Sequence, residues 1–427
     1  MHSILYHITI VIYHLIIISL YPFYPKAKQY ILGRKNWKEK INNINFKDSD
    51  WIWVHFSSFG EYQDGKNFVK KLKEEFSTTK FIYTFHSPTG YEVLKNSNEA
   101  DYICYIPFDY KNNVEYFINT INPKCIIFCR NDIWYNYIKF ANKKKIPVIH
   151  LSTLINTNSN FLKKPHLWHY KKTFSRFDLL LTQNAFTKNI LETMFNAKNA
   201  VVIGNTRIES IYEQFEKQIQ YPEIKKFIGT SFCITGGSLL KKDSENLICA
   251  YHKLKIKGVK WIIVPHEINN LSSITSTLTK DKILLYTQID QLKDSHEILV
   301  IDCVGILMDI YQYSNLTYIG GGFNKIGIHN IIEPCIHGNK IIIGPNHRNY
   351  PEALDLLHLN VCEIAKNKQE LRDKISMTYN QQDELIKVSE NAKHYVSSKK
   401  GATQKSVMEI KTLLLKKNVF KHTLITI

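Results

Sequence analysis

The sequence predicts an α/β protein made of two Rossmann-like halves in series, and three observations carry that prediction. The chain has 427 residues, more than one hydrophobic core normally serves, so two domains are expected. From Trp51 onward, short apolar runs alternate with stretches of helical spacing, the mark of repeated βα units feeding a parallel sheet. The alternation lapses between Gly204 and Glu223 and restarts at Phe232, which places a seam between two sheets.

Ahead of both halves, Met1 to Pro25 holds no Lys, Arg, Asp or Glu and is rich in Ile, Leu, Val and Tyr. That length can span a bilayer. It lacks the basic start and small-residue cleavage site of a secretory signal, so it is read as retained. Lys26, Lys28, Arg34 and Lys35 follow, a basic cluster that places the rest of the chain on the cytoplasmic side. His7 and His14 share a helical face beside Tyr6 and Tyr13, so a helix lying in the headgroup region competes with a true span, as does one docked on the protein's own core.

The first half has buried-strand runs at Trp51–Phe56, Lys80–His86, Tyr102–Pro107, Cys125–Cys129, Pro147–Leu151, Asp178–Thr182 and Ala200–Ile203. Between them lie helical patterns such as Phe68, Leu72 and Phe76, four apart. The second half has runs at Phe232–Thr235, Trp261–Val264, Ile283–Tyr286, Ile298–Ile301, Leu316–Ile319 and Lys340–Ile343, and ends in Lys-rich helical sequence. The expected division is an anchor helix over 1–25, one domain over 26–205 and a second over 206–427. Where two such domains face each other, the loops after the strands meet at the cleft and hold the chemistry.

Lys plus Arg number 56 against 38 Asp plus Glu, a net charge of +18, which suits anionic partners. Only six of the 56 are Arg, and the Lys are scattered, so much of this charge is solvated surface. Eight Cys without a C-x-x-C pair exclude a disulfide framework and a cysteine zinc site and fit a reducing compartment.

Ser57-Ser58-Phe59-Gly60-Glu61 follows the first strand. Glu61 falls in a first helical turn, where the macrodipole favours an acid; a carboxylate there is equally placed as a general base. Ser87-Pro88-Thr89-Gly90 offers hydroxyls after the second strand. Gly236-Gly237-Ser238 reads as a glycine loop able to cradle a phosphate, although it lacks the Gly-Lys-Ser/Thr of a P-loop. Pro265-His266-Glu267 ends another strand. Gly320-Gly321-Gly322-Phe323, His329-Asn330, Glu333-Pro334 and Gly344-Pro345 form the densest group: Asn330 can cap the next helix, and Glu333 can accept from ribose hydroxyls.

Together, Trp-Val-His-x-Ser-Ser-Phe-Gly-Glu at 53–61, Ser-Pro-Thr-Gly at 87–90, Pro-Phe-Asp at 107–109, Asp132-Ile-Trp-Tyr-Asn136, Gly-Gly-Gly-Phe with His-Asn-x-x-Glu-Pro, and Gly-Pro-Asn resemble the 3-deoxy-D-manno-octulosonic acid (Kdo) transferases of lipid A biosynthesis, glycosyltransferase family 30. The similarity runs from about Met1 to about Leu357. It implies a GT-B fold, two Rossmann-like domains facing a central cleft with an N-terminal membrane-anchor helix. It implies inverting transfer of Kdo from CMP-Kdo to the lipid A precursor (lipid IVA) at the cytoplasmic face of the inner membrane, without metal or other cofactor and without nucleic acid. Carried over by position, Glu61 is the catalytic base. Ser58, Gly60, Thr89 and Asp132 are substrate contacts of the first domain, Ser238 and His266 contact the donor phosphate or Kdo, and Gly321, Gly322, Asn330 and Glu333 form the CMP site.

Two departures stand out. Many members have an acidic pair where this chain has Arg130-Asn131-Asp132, and Pro-Arg-His where it has Val264-Pro265-His266; Arg207 can supply the missing guanidinium from the seam. Two other classes share parts of the pattern: a GT-B enzyme using another nucleotide sugar on a membrane lipid, and a basic membrane-associated nucleic-acid-binding adaptor. The adaptor predicts a continuous Lys/Arg stripe with interleaved aromatics, which the scattered Lys do not form.

Overall fold

A computed structural model describes residues 2–130, 132–156, 159, 162–163, 166–268, 271–276, 278–325, 327–348 and 350–420. Asn131 lies outside them. The chain divides into two compact units: the residues up to Ser210 together with those from Lys400 onward, and Ile211–Lys399.

The first unit holds strands β1 (Trp51–Phe56), β2 (Lys80–Phe85), β3 (Tyr102–Tyr105), β4 (Cys125–Cys129), β5 (Val148–Thr153), β6 (Leu179–Thr182) and β7 (Ala200–Val202). All pair in parallel in the order β3-β2-β1-β4-β5-β6-β7. Helices cover both faces, so the central strands carry no exposed side and read as unbroken apolar runs. Alternate side chains of β1 go to opposite layers: Trp51 and Trp53 join one core cluster, Ile52, Val54 and Phe56 the other. Burying one such aromatic or aliphatic side chain stabilises the fold by about 1.5 to 3 kcal/mol.

The second unit holds β8 (Phe232–Leu239), β9 (Val259–Pro265), β10 (Ile283–Leu285), β11 (Ile298–Val300), β12 (Leu316–Ile319), β13 (Lys340–Ile343) and β14 (Cys362–Ile364). They form a second parallel sheet, β10-β11-β9-β8-β12-β13-β14. The short edge strand β14 was not expected. More consequential, β8 runs straight through Gly236-Gly237-Ser238, which the sequence suggests as a loop. A Cβ on Gly236 would stand 2.3 Å from Leu247 Cδ2, and one on Gly237 would stand 2.0 Å from the Tyr311 hydroxyl. These glycines let a central strand pass under the helix Lys241–Leu254 and Tyr311, so packing alone requires glycine at both positions.

The C-terminal end also differs from expectation. The helix Ala402–Lys416 returns to the first unit, where Val407, Ile410 and Leu414 join the cluster formed by the helix Phe59–Glu75. Glu209 fastens its start by accepting from Gly401 N and Thr403 N, both at 2.7 Å.

Among the described residues no helix is long and apolar enough to cross a membrane; the first helix is His2–Leu20. It lies along the first unit through Tyr6, Tyr13 and His14, one stripe at helical spacing. Tyr6 donates to the Asp109 carboxylate, Tyr13 shares a 3.0 Å hydrogen bond with His86 Nε2, and His14 Nδ1 shares one of 2.7 Å with the Tyr110 hydroxyl. Ile8, Ile12, Leu15 and Ile16 remain about half exposed on the opposite side. Of the expected basic cluster, Lys26, Lys28 and Lys35 are exposed but Arg34 is buried. Its guanidinium donates to Tyr30 O, His86 O and Ile106 O.

Candidate active site

β1 ends at Phe56, and the chain turns through Ser57 and Ser58 into the helix Phe59–Glu75. Ser58 is the N-cap, but its side chain makes no capping bond. Glu61, three residues on, reaches back past the N-cap and accepts from Ser57 N at 2.7 Å, which ties the turn to the first helical turn. Glu61 is only 8% exposed. Its carboxylate is therefore held in one place by the turn that starts the helix. Gly60 is exposed, and a Cβ there would meet nothing nearer than Ser58 Oγ at 3.8 Å. The fold does not require glycine at this point, and the residue before Glu61 is open to solvent.

The loop after β2 is tied to this turn: His86 N donates to Phe56 O and Ser87 N to Ser57 O. Ser87 caps the next helix by accepting from Thr89 N, and the exposed Thr89 hydroxyl lies 3.0 Å from Ser87 Oγ. Ser58, Gly60, Glu61 and Thr89 are thus brought to one end of the sheet, as expected. Asp132 reaches the same end through β1. Its Oδ2 is 3.0 Å from His55 Nε2 and accepts from Trp134 Nε1 at 3.3 Å. His55 Nδ1 in turn shares a 2.8 Å bond with Thr84 Oγ1, to which Trp53 Nε1 also donates. Burial pushes the Asp132 carboxyl up, but hydrogen bonding and charge from His55 outweigh it and hold it below its ordinary value. His86, its ring tilted at 4.8 Å from that of Trp134, is pushed down to about 3 by burial and then by Arg34, so it is a neutral imidazole. This Trp53–Thr84–His55–Asp132–Trp134 chain was not expected beyond Asp132. The only hint was a histidine inside the apolar run of β1.

Arg207 also lies in the first unit: its Nε stands 3.2 Å from Asp64 Oδ1, and Arg130 donates to the other oxygen. The pairing was invisible because Asp64 is an unremarked helical acid.

In the second unit, Ser238 Oγ shares a 2.8 Å hydrogen bond with His266 Nδ1. Ser238 has φ 55°, left-handed for a non-glycine residue. The His266 and His329 rings stack at 4.3 Å, and burial followed by His266 pushes His329 down. Asn330 does not cap the helix Ile332–Ile336, whose N-cap is Ile331; it stands just ahead, where its Oδ1 accepts from Ile332 N at 3.1 Å and its Nδ2 donates to Glu333 Oε1 at 2.5 Å. Gly321 and Gly322 are corrected. Both are buried. Gly321 N donates to the buried Asp243 carboxylate at 2.8 Å, and its φ is 91°. A Cβ there would meet Gly327 O at 2.2 Å, and one on Gly322 would meet Gly344 N at 2.5 Å. Close backbone contacts inside the unit thus account for glycine at both positions. Among the described residues no group of three or more His, Cys, Asp or Glu is arranged to hold a metal ion.

Comparison with known proteins places this geometry. Residues 35–210 match the family model of the 3-deoxy-D-manno-octulosonic-acid transferases. The chain is 26% identical to a bifunctional glycosyltransferase/methyltransferase of Fusobacterium nucleatum over 90% of its own length, and it spans 58% of that relative's length. It is 26% identical to a 3-deoxy-D-manno-octulosonic acid transferase of Aquifex aeolicus, covering 80% of this chain and 89% of that one. A solved glycosyltransferase structure from Rickettsia africae shares the fold, with TM-score 0.55 at 15% identity over 88% of this chain and 100% of that one. Residues 35–210 thus resemble the N-terminal part of the Kdo transferases, and the two parallel seven-stranded α/β units share the fold of GT-B glycosyltransferases.

Proposed function

We propose that this chain transfers Kdo from CMP-Kdo to a hydroxyl of the lipid A precursor with inversion at the anomeric carbon. The observation that carries the reading is Glu61, buried and fixed by Ser57 N at the end of β1, next to the exposed Gly60. In this mechanism the acceptor hydroxyl attacks the anomeric carbon, its proton passes to Glu61, and the bond from that carbon to the CMP oxygen breaks. A carboxylate held in position loses little entropy on reaching the transition state, which is what positioning contributes to general base catalysis. In the second unit Glu333 and Asn330 are disposed to take the ribose hydroxyls, exchanging their mutual bond for bonds to the ligand. Ser238 and His266 are disposed to take the phosphate or the sugar acid. The same reading puts the protein on the cytoplasmic face of the inner membrane, where the half-exposed Ile8, Ile12, Leu15 and Ile16 enter the headgroup boundary and Lys26, Lys28 and Lys35 meet anionic lipid.

The test is mass analysis of the products formed from CMP-Kdo and tetra-acylated lipid A precursor. One or more added Kdo units are expected. A chain that leaves this pair unreacted, while its melting temperature responds to UMP or GMP and not to CMP, overturns the donor assignment.

A further inference from the structure

Two guanidinium groups in the first unit converge on one carboxylate. Arg130, the residue after β4, donates from Nη1 to Asp64 Oδ2, and Arg207 Nε lies 3.2 Å from Asp64 Oδ1. Asp64 is three residues beyond Glu61 on the helix Phe59–Glu75, so the two acids stand on one face a turn apart.

Stability does not account for this trio. Two positive groups on one negative group leave a net charge of +1. The side chains are partly open to solvent, at 23% for Arg130, 18% for Asp64 and 37% for Arg207, and ion pairs of that exposure contribute about 0 to 1 kcal/mol. Arg130 also has φ 57°, a left-handed conformation that costs a residue bearing a Cβ about 1 kcal/mol or more. Glycine or asparagine would sit there at less cost. Each guanidinium carries five N–H donors, yet among the described residues Nε and Nη2 of Arg130 and both Nη of Arg207 have no hydrogen-bond partner. Those donors are oriented by Asp64 and left unspent.

We propose that Arg130 and Arg207, oriented by Asp64, form an oxyanion-binding site beside Glu61 that takes a carboxylate or a phosphate from one of the two reactants. Planar guanidinium forks match either group with paired, charge-assisted hydrogen bonds. That the anion belongs to a reactant rests on the transfer proposed above; that the site binds an oxyanion does not.

The first experiment needs no turnover. Inorganic phosphate is titrated into the full-length, detergent-solubilised chain and the melting temperature is followed at low salt. Phosphate is expected to raise it for the native chain, and Arg130→Gln and Arg207→Gln should lose most of that rise. Asp64→Asn, which frees both guanidiniums, should keep or enlarge it. Arg207 is the more exposed of the pair, so its variant keeps the test open if Arg130→Gln does not fold. Equal responses in the native chain and the arginine variants overturn the proposal, and so does an equal loss in all three variants, which is the behaviour of a structural ion pair.

The second experiment assigns the source. With Arg207→Gln, KM should rise about tenfold, the loss of one hydrogen bond to a charged group, while kcat changes little. A rise for CMP-Kdo identifies a donor oxyanion; a rise for the phosphorylated lipid, absent with its dephosphorylated form, identifies an acceptor phosphate. No change in either KM overturns the reactant assignment. If the native chain turns over neither, yet the phosphate results hold, the transfer reading fails and the anion site stands.

Discussion

At the scale of single residues, Glu61 and Glu333 carry the sharpest tests. Glu61 has two uses for one carboxylate: it closes the helix start through Ser57 N and it stands where a base is needed. Glu61→Gln keeps an acceptor oxygen for Ser57 N, so the fold and donor binding should persist while turnover falls by about a hundredfold or more, read as CMP release. Near-normal turnover would return Glu61 to a capping role alone. Glu333 accepts from Asn330 in the unliganded chain, so ribose hydroxyls compete with an existing bond. Glu333→Ala should weaken CMP binding by about 1.5 to 3 kcal/mol by calorimetry, the range for a hydrogen bond to a charged group. Unchanged affinity would mean that the Asn330–Glu333 pair only closes its turn.

At the scale of elements, docking of the N-terminal helix has a built-in pH dependence. Burial, opposed by the Tyr6 and Asn136 hydrogen bonds, pushes Asp109 up to about 7. An acid whose folded pKa lies above its unfolded value near 3.9 binds more protons in the native state between those values, so its contribution is full below about pH 4. It declines as pH rises and is gone above about 7. Asp109→Asn mimics the protonated form. The melting-temperature difference between the native chain and this variant should therefore widen from pH 4 to 7 and stay flat above it, and a constant difference would show that Asp109 is ionised throughout. The helix Ala402–Lys416 makes a similar point without titration. Its apolar stripe Val407, Ile410 and Leu414 is complementary to the first unit's core, which is why the chain's end belongs to the unit where it began.

At the scale of the whole molecule, the positive charge and the exposed apolar side of the first helix act together. Changing Ile8, Ile12, Leu15 and Ile16 to Ser alters side chains that face away from the protein, and so leaves Tyr6, Tyr13 and His14 on their partners. Each loses about 1.5 to 3 kcal/mol of the burial available in lipid. The quadruple variant should turn over detergent-dispersed acceptor normally and fail to co-sediment with vesicles containing anionic lipid, most clearly at high salt, where the attraction of Lys26, Lys28 and Lys35 is screened. Equal co-sedimentation of the variant and the native chain at high salt would show that this face is not the membrane contact.

What the sequence by itself determined is whatever lies within a few neighbouring residues. β1, β4, β12 and β13 begin and end where their apolar runs do, because strands buried on both faces must be apolar at every position. The first-turn position of Glu61 and the turn at Asn330 were legible for the same reason, since their bonds join residues at most four apart. Only the tertiary structure decided the rest. Glycines at 236, 237, 321 and 322 look alike whether they welcome a phosphate or a neighbouring backbone, and the atoms that distinguish the cases come from Leu247, Tyr311, Gly327 and Gly344. His55 and Asp132 meet because β1 and β4 are neighbours in the sheet although two strands separate them in sequence. Arg207 finds Asp64, and Ala402–Lys416 finds the first unit, by the same logic. Local periodicity is set by the backbone's own geometry, whereas the identity of a distant partner depends on strand order and packing, which no single stretch of chain contains.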